Sequence, residues 1–239
     1  MGPARNVVIT GGTAGIGLAT AQLLLERGYG VFICGRNELR LKEALTALTT
    51  GVGADRVGGA VCDVRHLDSA QAMIESARRH LGTIDGLVNN AGIAFIKDID
   101  ELTPTMWAQI IDTNLTGVFN CCHAALPALK DAAAQTGFAD IVNIGSRSGR
   151  YAFRGGAGYN TTKFGLQGMT EAMFLDLNRF GIRVGLVAPG TVGTGFGGTA
   201  PAEWHLRPQD VAKAVANMIG AENGSCLNWI EIRPSRPPG

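Results

Sequence analysis

Residues 6–17 read NVVITGGTAGIG, and residues 18–27 continue as LATAQLLLER. A short apolar run, a glycine-rich turn and a helix-forming segment are typical of the first strand, turn and helix of a nucleotide-binding α/β domain. Glycine lets the backbone approach a pyrophosphate closely, and the helix N-terminus then stabilises the phosphate charge. Such turns also join strands to helices for purely structural reasons. The candidate phosphate-binding residues are Gly11, Thr13, Gly15, Ile16 and Gly17.

Short apolar runs alternate with helical periodicity along the rest of the chain. The continuous apolar runs, which are typical of parallel strands buried on both faces, occupy residues 6–10, 31–34, 57–62, 87–89, 141–144 and 184–188. Residues 227–233 alternate and predict a last strand. Right-handed crossovers predict one doubly wound α/β (Rossmann) domain over residues 1–239, with about seven parallel strands and helices on both faces. A closed eight-stranded barrel is the competing fold. We expect the tail 234–239 to be flexible.

Composition excludes several classes of protein. The 239 residues are 46% hydrophobic and carry 21 basic and 20 acidic side chains. This apolar content excludes a disordered chain, and the net charge of +1 argues against a nucleic-acid partner. No apolar run approaches the roughly 18 residues of a membrane helix, so we expect no membrane partner. Five cysteines without CxxC spacing and no signal-peptide pattern predict a cytoplasmic protein, and four scattered histidines predict no metal site.

The end of the second predicted strand indicates the cofactor. An acidic residue there, about 20 residues after the glycine turn, would bind the ribose 2′-hydroxyl of NAD. This chain has Gly35-Arg36 instead. An arginine can pair with a 2′-phosphate and stack on adenine. The alternative is that Arg36 is a solvated charge at a helix start. We expect NADP(H), preferred over NAD(H).

Tyr159 and Lys163 are four residues apart and therefore share one face of a predicted helix. A nearby positive charge stabilises phenolate, so we expect the pKa of Tyr159 to be lowered and the phenol to exchange a proton with a carbonyl or alcohol oxygen. The same spacing is also common on helix surfaces by chance. Ser146 ends a buried strand, where its hydroxyl can hydrogen-bond the same carbonyl. Ser148, two residues further on, is the competing serine.

Taken with other spaced motifs, these residues make the chain resemble the compact members of the short-chain dehydrogenase/reductase family, from Val7 to about Ile232. The motifs that carry the resemblance are TGGTAGIG at 10–17, Asp63, NNAG at 89–92, Asn114 in DTNLTG, Ser146, YNTTK at 159–163 and PGTVGT at 189–194. The resemblance implies an oxidoreductase. Members of the family usually form dimers or tetramers, so we expect a homodimer or homotetramer built from the helices around 104–135 and 157–180.

The resemblance also implies a role for each matching residue. Ser146 would orient the carbonyl, Tyr159 would be the acid/base, and Lys163 would lower its pKa and hold the nicotinamide ribose. Asn114 would keep a water on Lys163, or else satisfy backbone groups as a buried asparagine. The remaining implied cofactor contacts are Asp63 and Val64 at the adenine, Asn90 and Gly92 beside the ribose, and Val192 and Thr194, after Pro189 and Gly190, at the carboxamide and diphosphate. The NNAG segment has the alternative role of tying the central strands together.

The chain departs from the family pattern in three places. Ala14 stands where many NADP-preferring relatives have a second basic residue, so recognition of the 2′-phosphate depends on Arg36. The common C-terminal DGG is absent, and the segment 195–207 is short, which leaves the substrate open. We expect a border of the substrate pocket at residues 149–158, 195–204 and His123, with apolar character from Phe153, Phe196 and Trp204, unless these are ordinary loop packing.

The sequence therefore predicts an NADP(H)-dependent oxidoreductase that interconverts a ketone or aldehyde with its alcohol, so the expected partner is a small-molecule carbonyl or alcohol substrate of undetermined identity and size. Two alternatives remain. One is a catalytically silent NADP-binding regulatory protein, which would keep the fold without needing Tyr159 or Lys163. The other is a sugar-nucleotide epimerase or dehydratase, whose members share the YxxxK spacing but are usually longer.

Overall fold

A computed structural model describes residues 5–198, 200–221 and 224–236, and the tail expected to be flexible, 234–239, lies partly outside these ranges. The strands of this part of the chain are β1 (Asn6–Thr10), β2 (Gly30–Gly35), β3 (Val57–Val61), β4 (Gly86–Asn89), β5 (Ala139–Ile144), β6 (Ile182–Pro189) and β7 (Trp229–Ile232). The α-helices are α1 (Gly15–Glu26), α2 (Glu38–Thr49), α3 (Leu67–Leu81), α4 (Pro104–Ile111), α5 (Gly117–Thr136), α6 (Ala157–Leu177) and α7 (Pro208–Ile219). A π-helical turn, Asp112–Thr116, joins α4 to α5.

The strands form one parallel sheet in the order β3-β2-β1-β4-β5-β6-β7. From β1 the chain moves outward through β2 and β3, and it then returns to β4 on the other side of β1. Val8 of β1 therefore pairs with Phe32 of β2 and with Leu87 of β4. A crevice opens beyond the carboxyl ends of β1 and β4, where the strand order reverses. The predicted doubly wound sheet is confirmed.

Helices cover both faces of the sheet, and the side chains of β1 alternate between the two cores. Val8 packs in one core with Leu129 of α5, whereas Val7 packs in the other with Leu24 of α1. Successive side chains of a strand point to opposite faces, so a strand covered on both sides needs a continuous apolar run. None of the described helices is both long and apolar enough to cross a bilayer.

A buried ion-pair network fixes the amino ends of three strands. Asp140 of β5 binds Arg5, which precedes β1, and Arg183 of β6, each at 2.7 Å. Both guanidinium groups also lie over the ring of Phe138, at 4.5 and 4.1 Å from its centroid. A buried carboxylate requires such partners, because its lost hydration must be replaced. The network lies at the end of the sheet opposite the crevice.

Several element boundaries differ from the prediction. β5 begins at Ala139 and β6 at Ile182, two residues earlier than expected in each case, because the polar residues near their starts are buried in the ion-pair network. α1 begins at Gly15, inside the glycine turn, rather than at residue 18. β7 is shorter than the predicted 227–233 at both ends.

Candidate active site

The turn between β1 and α1 has a backbone that requires glycine. Gly11 and Gly15 have φ angles of +63° and +54°, and a Cβ at Gly17 would lie 2.4 Å from the carbonyl oxygen of Gly11. The residue before α1 is Ala14, and among the described residues no side chain caps the helix and no acidic residue lies in its first turn. The first amide groups of α1 therefore point to an external acceptor. This geometry fits a dinucleotide pyrophosphate.

Asn90, in the NNAG segment after β4, holds this turn in place. Its Nδ2 donates to the carbonyl oxygens of Thr10 and Gly11, each at 2.9 Å. The hydroxyl of Thr10 accepts in return from the amides of Asn90 and Ala91, each at 3.0 Å. Both amide hydrogens of the Asn90 side chain are thus used within the protein. The side chain ties β1 to β4 rather than donating to a ribose, and Gly92 is left beside the crevice.

The loops after β2 and β3 form the far end of the crevice. Gly35 ends β2 so close to Thr13 that a Cβ there would lie 2.7 Å from Thr13 Cγ2. Arg36 follows and is exposed, and within the described part of the chain it forms no ion pair. Asp63 and the buried Val64 follow β3. The structure therefore places the residues predicted to contact the adenosine half of the cofactor, Arg36, Asp63 and Val64, at the same end of the crevice.

Arg65 is a residue of this region that the sequence pattern does not single out. Its Nη2 lies 2.5 Å from Oδ2 of Asp63, and this hydrogen bond is the main reason that the pKa of Asp63 lies below its usual value. Arg65 and Arg36 both line the crevice. The sequence feature that could have identified Arg65 is its position, two residues after Asp63, the predicted adenine contact.

A cleft of about 590 Å³ lies between these loops and the segment after β6. Its lining residues are Arg36, Arg65, Gly92, Ile93, Ala94, Phe95, Gln109, Thr113, Phe196, Gly197 and Gly198. The buried hydroxyl of Thr113 has no hydrogen-bond partner among the described residues. Buried polar atoms are nearly always paired, so Thr113 is a further candidate contact for a bound molecule.

The segment after β6 closes the cleft on the other side. Pro189 ends β6, and the amide of Gly190 donates to a carbonyl oxygen of β7 at 2.7 Å. Val192 forms a parallel bridge with the segment that precedes α7. A Cβ at Gly15 would lie 3.2 Å from Cγ2 of Thr194, so this segment packs directly on the glycine turn. The two predicted diphosphate contacts, Gly15 and Thr194, therefore meet.

The predicted catalytic side chains converge at the carboxyl end of β5. Ser146 follows β5, and its hydroxyl oxygen accepts from the amide of Ser148 at 3.1 Å. Tyr159 and Lys163 lie one turn apart on α6, with Nζ at 5.7 Å from the centroid of the tyrosine ring. The side chain of Ser146 acts on the phenol of Tyr159, lowering its pKa. Ser148 contributes its main chain, because its carbonyl oxygen accepts from Asn160 at 2.6 Å.

Burial governs the protonation of this group. It raises the pKa of Tyr159, and the hydrogen bond to Ser146 acts in the opposite direction. It lowers the pKa of Lys163 to about 8. The expected lowering of the Tyr159 pKa is therefore wrong for this structure. Lys163 faces the ring and donates to the carbonyl oxygen of Ile144 at 2.7 Å, so desolvation of the phenol dominates.

Asn114 lies in the π-helical turn between α4 and α5. Its Nδ2 donates to the carbonyl oxygen of Ile93 at 2.9 Å and to the hydroxyl of Thr162 at 3.1 Å. Its Oδ1 accepts from the amide of Ile93 at 2.9 Å. The side chain thus satisfies backbone groups and ties the loop after β4 to α6. Both hydrogens of the Nδ2 group are used, so a relay water would have to bind the main chain of Asn114 or donate to the second lone pair of Oδ1.

The residues expected to border the substrate pocket separate into two groups. The rings of Phe153 and Phe196 flank Tyr159, with centroids 6.5 and 6.0 Å from its ring. His123 is instead exposed on α5, stacked on a neighbouring phenylalanine. Trp204 packs edge-on against the adjacent histidine. Neither of these two lines the described cleft, but the same is true of Phe153, so the role of His123 and Trp204 at the substrate pocket stays a prediction.

Comparison with known proteins gives one consistent result. A family model for short chain dehydrogenases matches residues 5–203. The chain is 32% identical over 234 residues to the acetoacetyl-CoA reductase of Paracoccus denitrificans, covering 92% of this chain and 93% of that protein. The alcohol dehydrogenase of the archaeon Thermococcus sibiricus, complexed with 5-hydroxy-NADP, superposes with a TM-score of 0.88 at 26% identity, covering 99% and 100% of the two chains. An actinorhodin polyketide ketoreductase variant with NADPH superposes with a TM-score of 0.86 at 31% identity, covering 96% and 95%.

Proposed function

The chain belongs to the short-chain dehydrogenase family of oxidoreductases, and from this premise we propose that it interconverts a ketone or aldehyde with the corresponding alcohol, using NADP(H) in preference to NAD(H). The observation that carries the proposal is the convergence of Ser146, Tyr159 and Lys163 at the carboxyl end of β5. Ligands of doubly wound domains bind at this edge of the sheet.

Tyr159 and Ser146 have distinct parts in the proposed reaction. Tyr159 gives its proton to the carbonyl oxygen during reduction, and its raised pKa keeps the phenol protonated at neutral pH, as a general acid requires. Ser146 hydrogen-bonds the same oxygen and stabilises the charge that develops on it. Phe153 and Phe196 pack against the ring of Tyr159 and help to hold its orientation. A bound nicotinamide dinucleotide would supply or accept the hydride.

The proposed cofactor choice depends on the two ends of the crevice. The glycine turn and the uncapped start of α1 would hold the pyrophosphate. Arg36 is exposed at the end of β2 and would pair with the 2′-phosphate. The 5-hydroxy-NADP and NADPH bound by the two solved relatives support the same choice.

Consumption of NADPH in the presence of carbonyl compounds tests the proposal. The purified protein is mixed with NADPH and with a panel of ketones, aldehydes and 3-ketoacyl thioesters, and the near-ultraviolet absorbance of NADPH is followed. We expect consumption that requires the carbonyl compound and yields the alcohol. Two outcomes would contradict the proposal. One is that the protein binds NADPH but does not consume it with any compound of the panel. The other is that it isomerises a nucleotide sugar instead of reducing a carbonyl compound.

We also propose that the protein is a homodimer or homotetramer. Large apolar side chains are exposed on α4, α5 and α6, including those of Trp107, Phe119, Phe164 and Leu175. Exposed large apolar side chains that form a contiguous patch mark protein interfaces, and we infer such a patch on these helices. Light scattering after gel filtration should show a dimer or tetramer that Phe119→Asp shifts toward the monomer. A monomeric wild-type protein would contradict this.

A further inference from the structure

Asp63 and Arg65 form a closed ion pair at the rim of the cleft, between β3 and α3. Nε of Arg65 lies 2.9 and 3.0 Å from the two carboxylate oxygens, and Nη2 lies 2.5 Å from Oδ2. The main-chain amide of Arg65 also donates to Oδ1 at 3.1 Å. A planar guanidinium that meets a carboxylate in this way forms a strong and directional contact. The aspartate is thus neutralised by a residue of its own loop.

The backbone of this loop is anchored from two helices. Nδ2 of Asn120, on α5, donates to the carbonyl oxygens of Val64 and Arg65 at 3.0 and 3.1 Å. The amide of Asp63 donates to the hydroxyl of Ser69, on α3, at 3.1 Å. The charged side chains nevertheless remain partly accessible, with 31% of Arg65 and 24% of Asp63 exposed. The pair is therefore preformed and faces the cleft, unlike the buried pairs of Asp140.

Arg36 is the other cation near this carboxylate. It lines the same cleft as Arg65 and acts electrostatically on Asp63, although more weakly than Arg65 does. Without Arg65, the carboxylate of Asp63 would be balanced by Arg36, and it would compete with a bound phosphate for the same guanidinium. A free carboxylate beside the phosphate would also repel it. Arg65 removes both effects.

We propose that Arg65 is a positioning residue for cofactor selectivity. By holding Asp63 in an internal ion pair, it leaves Arg36 available for a 2′-phosphate and keeps the carboxylate from repelling that phosphate. This inference rests on the proposed function, because it concerns the cofactor choice of the same site. Ala14 provides no second basic residue in the glycine turn, so recognition of the 2′-phosphate depends on Arg36 staying available.

Binding measurements on three variants test the inference. The dissociation constants for NADPH and NADH are measured by fluorescence for wild type, Arg65→Gln, Asp63→Asn and the double variant, and their ratio is compared. Arg65→Gln should lower the preference for NADPH about fivefold or more, because a cation is lost and a carboxylate is released. The double variant should recover most of the ratio, since the released carboxylate is gone. Asp63→Asn alone should raise the preference for NADPH.

Arg65→Lys is the conservative control and should keep part of the preference, because it keeps the charge without the planar fork. Equal losses for both cofactors in Arg65→Gln would show a merely structural role and overturn the inference. An unchanged ratio in Asp63→Asn would overturn it independently, because that variant removes the carboxylate and releases Arg65 from the ion pair. If the wild-type protein reduces carbonyl compounds with NADPH but all variants have the same ratio of NADPH and NADH dissociation constants as wild type, this inference fails and the proposed function stands. A wild-type preference for NADH would instead contradict the proposed cofactor choice.

Discussion

The side-chain ammonium of Lys163 donates a hydrogen bond to the carbonyl oxygen of Ile144, with Nζ and the oxygen 2.7 Å apart. Lys163 lies on α6 beside Tyr159, and Ile144 is the last residue of β5, two positions before Ser146. The bond therefore links the helix that carries the phenol to the strand that precedes the serine. The group that forms this bond is a buried cation, and burying it lowers the unfolding free energy of the protein by a measurable amount.

The unfolding free energy of Lys163→Met, taken relative to that of wild type, should be higher at pH 7 than at pH 10.5. The pKa of the lysine is about 8 in the folded chain and about 10.4 in the unfolded chain. Between these values the unfolded chain binds more protons, so this residue makes wild-type stability rise with pH. We expect the difference in unfolding free energy between the two proteins to change by roughly 3 kcal/mol across that window. Urea denaturation at several pH values measures it, and a pH-independent difference would show that the ammonium is solvated.

Tyr159→Phe should lower kcat by about 100-fold or more, the scale of lost general-acid catalysis. The ring and its contacts with Phe153 and Phe196 remain, so the fold and the affinity for NADPH should be unchanged. Steady-state kinetics and fluorescence titration measure the two effects. Tyr151→Phe is the matched control, because that tyrosine is exposed and contacts Arg147. Near-normal turnover of Tyr159→Phe would remove the phenol from the mechanism.

The two serines after β5 should differ strongly. Ser146→Ala should lower kcat by about 100-fold or more, as expected for a lost donor to a developing oxyanion. Ser148→Ala should have a much smaller effect, because the contacts of Ser148 in the site use its main chain. Ser146→Thr keeps the hydroxyl and should retain part of the activity. Reversed effects of the two alanine variants would identify Ser148 as the substrate contact.

The arrangement of the proposed catalytic group could be predicted from the sequence because its geometry is local. Two residues four apart on one helix share a face in any structure that keeps the helix. A residue that directly follows a buried parallel strand lies at the ligand-binding edge, which placed Ser146 correctly. The glycine turn is local in the same sense, because its positive φ angles belong to single residues.

The features that the sequence did not reveal depend on contacts between distant segments. Asp140 interrupts an apolar run, and its partners lie 135 and 43 residues away, so the true start of β5 was hidden. The protonation of Tyr159 depends on burial by two separate loops, which spacing along α6 does not show. Arg65 acquires its place only when α3 and α5 anchor the loop after β3.

Asp140→Asn should destabilise the protein by about 3–5 kcal/mol, the cost of leaving buried charges uncompensated. Arg5 and Arg183 would keep their charge beside Phe138 but lose the carboxylate that both bind. Urea denaturation at neutral pH measures the effect. Asp98→Asn is the matched control, since its pair with Arg154 is exposed and should contribute less than about 1 kcal/mol. Equal, small effects of both variants would show that the network is well hydrated.

Cofactor preference should follow from Arg36 and be reversible at the end of β2. Charge-assisted bonds from an arginine to a 2′-phosphate contribute about 1.5–3 kcal/mol, or roughly 10- to 150-fold in affinity. We therefore expect kcat/KM to favour NADPH over NADH within that range. Gly35→Asp with Arg36→Ala should reverse the order, because a carboxylate repels the phosphate and accepts from the 2′-hydroxyl.

The structure adds a condition to this reversal. A Cβ at position 35 would lie 2.7 Å from Cγ2 of Thr13, so the new aspartate needs space in the glycine turn. Thr13→Ser removes that methyl group and keeps the hydroxyl, so the reversal should be clearest when all three substitutions are combined. Thr13→Ser alone is the matched control and should keep the wild-type preference. Steady-state kinetics with both cofactors are measured for wild type, the double variant, the triple variant and Thr13→Ser alone. A wild-type preference for NADH would show that Arg36 points to solvent, and a triple variant that still favours NADPH would show that another cation binds the 2′-phosphate.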